Sequence, residues 1–98
     1  MEIEKIKSRL VQEFGYSEKG AELVARQLAQ LDPKLADAFS RWWRDGSTTD
    51  IEIEGFTVQR LMNEHRMNPI AAFLTLNWLL REPNKALISL AKGHDSVS

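Results

Sequence analysis

The chain has no cysteine, only three prolines and five glycines, and no excess of basic charge. Without cysteine there is no disulfide framework and no thiolate metal site, which points towards a reducing compartment. The longest apolar runs fall short of the roughly 18 residues that a spanning helix requires. The opening MEIEKIKSRL alternates charged with apolar residues and lacks the apolar middle region of a signal peptide. The expected setting is therefore cytoplasmic, in a small bacterial or phage-like protein, with no membrane partner. A net charge of −1 offers no basic footprint for nucleic acid or an anionic surface.

What is present is apolar content: 43% of the 98 residues are hydrophobic. That composition fits a packed core in one domain, expected over 1–93, with 94–98 as a frayed tail. Ile3, Ile6, Leu10 and Phe14 recur at helical spacing, and Gly15 follows as a left-handed stop. Ser17 caps a second helix carrying Ala21, Val24, Leu28 and Leu31. Asp32-Pro33 opens a third, to Arg44, with Leu35, Ala38, Phe39 and Trp42 on its apolar face. Thr57 caps a fourth, with Val58, Leu61 and Met62 turned inward as far as His65. Asn68-Pro69 repeats the cap-and-proline device ahead of PIAAFLTLNWLLRE, which is apolar on nearly every side. Glu82-Pro83 ends that helix, and a last one is expected over Pro83–Lys92, stopped by Gly93. The expected fold is all-α: a compact irregular bundle of five to six short helices around a buried helix at 69–82.

Residues 51–54 break the helical pattern. Ile51-Glu52-Ile53-Glu54 alternates with period two, as a short strand does, and Gly55 closes it. A lone strand leaves its backbone groups unpaired. It can lie as an extended solvated loop, pair with a helix-flanking segment, or pair with its own copy across a two-fold axis.

Motifs that carry chemistry are scarce. His65 and His94 are the two histidines and do not stand at metal-ligand spacing. Glu52 and Glu54 share a strand face without a pocket to separate their pKa values. No phosphate-cradling glycine loop or nucleophile elbow occurs. The reading is non-enzymatic, with no catalytic residue, metal or cofactor.

Two functional classes remain. TVQRLMNEHRMNPIAAFLTLNWLL has the outline of a helix-turn-helix, with Arg60, Arg66 and Arg81 available to phosphates. Its second helix, however, would present Ile70, Ala71, Ala72, Phe73 and Leu74 where base-reading side chains belong. The favoured class is a small helical protein-interaction module, able to self-associate. Its candidate interface is Trp43, Arg44, Ile51, Ile53 and Phe56. Trp42 and Trp43 point about 100° apart on a helix, so one is expected in the core and the other at the edge between Arg41 and Arg44. Acidic residues crowd 32–56 and basic ones 57–98, a polarity that can orient a partner or a second copy. Asn77, an amide within the most apolar helix, is expected to fix a helix–helix register or to touch a ligand.

Overall fold

The computed structural model describes residues 2–47 and 49–97, with side chains described as far as Lys92. The fold is all-α: six helices, with no sheet among the described residues. They are α1 (Ile3–Phe14), α2 (Glu18–Ala29), α3 (Pro33–Asp45), α4 (Val58–His65), α5 (Pro69–Arg81) and α6 (Pro83–Val97). Within the described residues, no helix is long and apolar enough to cross a membrane. The chain divides into two compact units, Met1–Asp32 and Pro33–Ser98.

The first unit is a helical hairpin. Gly15 adopts a left-handed conformation (φ 71°), and the N–H groups of Gly15 and Tyr16 both donate to the carbonyl of Leu10. Those bonds satisfy the end of α1 and turn the chain. Ser17 then accepts a hydrogen bond from the Gly20 N–H at 3.1 Å and starts α2. α1 and α2 pack on each other. Ile6, Leu10, Ala21, Ala25 and Leu28 are their buried positions. The two alanines allow the helix backbones to approach closely.

The second unit is arranged around α5, which packs against α3, α4 and α6. Asn68 caps it by accepting from the Ala71 N–H at 2.8 Å, and Pro69 occupies its first turn. Its buried residues are Ile70, Ala72, Phe73, Leu76 and Leu79. Leu35, Ala38 and Phe39 of α3, Val58 and Leu61 of α4, and Ala86 and Leu90 of α6 are buried in the same unit. α5 is buried on most sides, as expected, with Trp78 left 37% exposed. One expectation needs correcting here. α6 runs on through Gly93 to Val97, so that glycine does not stop it. A glycine inside a helix costs only about 1 kcal/mol, which neighbouring turns can offset. Ser98, at the end of the expected frayed tail, lies outside the described residues.

The segment between α3 and α4 resolves the strand question. Residues 51–54 do not form a strand. Ile53 and Phe56 exchange both backbone hydrogen bonds at 2.9 Å, as a single antiparallel bridge across Glu54-Gly55. Both central residues have positive φ, 53° and 81°, as a type I′ turn requires. The Ile53 backbone is thus paired with a neighbour that flanks α4. Glycine suits its position, but Glu54 is a side-chain-bearing residue in the left-handed region, which costs about 1–2 kcal/mol. Glu54→Asn is expected to raise stability by about 0.5–1 kcal/mol, read as a rise of a few degrees in Tm, because Asn-Gly is the preferred pair for this turn.

Candidate functional site

The five residues proposed from sequence fall into two places. Trp43 and Arg44 belong to the last turn of α3, while Ile51, Ile53 and Phe56 belong to the loop and its hairpin. Ile53 is only 5% exposed and cannot serve as a free contact. Ile51, Phe56 and Trp43 are half-buried, and Arg44 is exposed. Arg41 lines a polar depression of about 160 Å³ together with Ala38, Ser47, Thr49 and Asp50, so the loop leaves α3 along that flank. Trp43, two residues further on, points about 160° away from Arg41 around the helix. The loop contributes to one flank of α3 and Trp43 to the other.

The Trp43 end is an aromatic corner. Phe39 is buried, and its ring meets Phe73 of α5 edge-to-face, with centroids 5.2 Å apart and planes at 79°. Trp42 lies 6.0 Å from Phe39 and 5.8 Å from Phe73. Trp43 lies 5.6 Å from Phe39 and 6.3 Å from Trp42. These spacings and tilts are those at which aromatic rings attract beyond simple burial. Neither tryptophan is the core anchor expected of one of them. Both are half-buried, and the anchors are Phe39 and Phe73 beneath. The indoles are therefore held by rigid neighbours while part of each remains at the surface. Arg41 and Arg44 stand exposed on the same helix end, Arg41 in a 2.7 Å bond to Asp37 one turn earlier.

The helix ends in a second local device. The Ser47 hydroxyl and backbone N–H both donate to Asp45 Oδ1. The hydroxyl bond, followed by the backbone bond, holds the Asp45 carboxyl below the usual carboxylate range. The carboxylate so fixed turns the chain out of α3 at Gly46, which has positive φ.

The hairpin is braced rather than open. The Arg60 guanidinium lies 4.5 Å from the centroid of the Phe56 ring. Its Nη1 donates to the Gly55 carbonyl at 2.8 Å, and its Nε pairs with Glu64 at 2.7 Å. The His65 ring also meets Phe56, tilted at 57° with centroids 5.9 Å apart. Arg60, expected among the phosphate contacts, is thus engaged within the chain. The signal was present in the spacing: Phe56 and Arg60 flank the Thr57 cap, and Glu64 follows Arg60 by one turn.

Asn77 is half-buried, and no buried side-chain nitrogen or oxygen among the described residues lacks a partner. No group of three or more His, Asp or Glu among the described residues is placed to hold a metal ion. A depression of about 250 Å³ on the first unit, lined by Glu4, Lys7, Ser8, Val11, Gln12 and Glu18, mixes charges of both signs and is broadly open. No protein-family model, curated protein or solved structure matches the chain.

Proposed function

We propose that this protein is a non-catalytic helical interaction module, working in the cytoplasm, whose aromatic corner at the end of α3 binds a protein partner. The observation that supports this reading is the pair of half-buried indoles, Trp42 and Trp43, seated on the buried Phe39 and Phe73 rings, with exposed Arg44 at the same helix end. Tryptophan and arginine dominate interface hot spots, and a surface already held rigid gives up little entropy on binding. Arg44 and the half-buried Ile51 remain candidate contacts, with Phe56 supporting the hairpin from under Arg60.

Trp43→Ala separates contact from core. As a half-buried ring it is expected to cost about 1–2 kcal/mol of stability, below the 3–5 of a fully enclosed aromatic. Partner affinity is expected to fall by roughly thirtyfold, the loss of one hot spot. A photo-crosslinking residue in place of Arg44, in the native cells, should yield one discrete adduct that disappears when Trp43→Ala is added. An adduct unchanged by that substitution, or a stability loss of several kcal/mol, would show the ring to be core.

A further inference from the structure

We draw no further inference here: the strongest candidate beyond the aromatic corner, the surface patch at Trp78 on α5, which is 37% exposed, carries nothing because nothing in the structure shows what covers it.

Discussion

Phe73→Ala should lower the free energy of unfolding by about 3–5 kcal/mol, a large share of what a domain of this size possesses. The ring is fully enclosed. It lies edge-on to Phe39 and within 5.8 Å of Trp42, so it joins α5 to α3 and supports the corner from below. Its removal loses the transfer free energy of the phenyl group and leaves a cavity between two helices that other contacts hold apart. Urea denaturation followed by far-UV circular dichroism measures the loss. The near-UV signal of the tryptophans should weaken in parallel, because Trp42 loses a ring it packs against and Trp43 is reached through Phe39. A cost under 1 kcal/mol would mean that the ring is not the anchor the structure makes it.

Ala72→Gln should cost about as much, by a different route. Ala72 is buried without measurable exposure on the inner side of α5. Four further heavy atoms have no room there, and overpacking alone costs about 1–3 kcal/mol. The amide would also be buried without partners, which adds about 1–3 kcal/mol. The same substitution discriminates between functions. On a helix lying in a DNA groove, glutamine near the N-terminus is a base-reading side chain and is tolerated. On a core helix it is not. Thermal melts of the purified variant decide the matter, and a Tm within about 2 °C of the parent, a shift worth well under 1 kcal/mol, would contradict the core assignment.

The parts of this fold that were legible in the sequence are those with local causes. Ser17, Thr57 and Asn68 cap the helices expected of them, each accepting from the N–H three residues on. Pro33, Pro69 and Pro83 each open a helix, because a proline's missing N–H is harmless in the first turn. The alternation leaves pairing with a helix-flanking segment open as one of three outcomes, and what hides the hairpin itself is a left-handed glutamate. Ile51 to Glu54 alternates like a strand, and nothing about Glu54 advertises positive φ. The usable sign was a residue followed by glycine, with Ile53 and Phe56 as apolar neighbours on either side. The candidate site was half legible. Adjacent tryptophans beside arginines did mark a partly exposed corner. That Ile53 is buried and Arg60 engaged depends on tertiary packing across the hairpin, which no local pattern encodes. The exposure of Trp78 is hidden for another reason: a helix apolar on all sides gives no hydrophobic direction, so which residue reaches the surface is set by where its neighbours end.

The central claim is that α5 is a core helix, packed against α3, α4 and α6, and the proposed function accordingly gives it no part in reading nucleic acid. Fluorescence anisotropy of a labelled random DNA duplex, titrated with the protein at low and at physiological salt, tests it most directly. The expected result is no saturable binding at protein concentrations up to about 100 µM, since Arg60 is already held by Gly55 and Glu64 and the net charge of −1 supplies no basic footprint around Arg66 and Arg81. Binding that falls steeply with salt, as the release of several counterions requires, would contradict it.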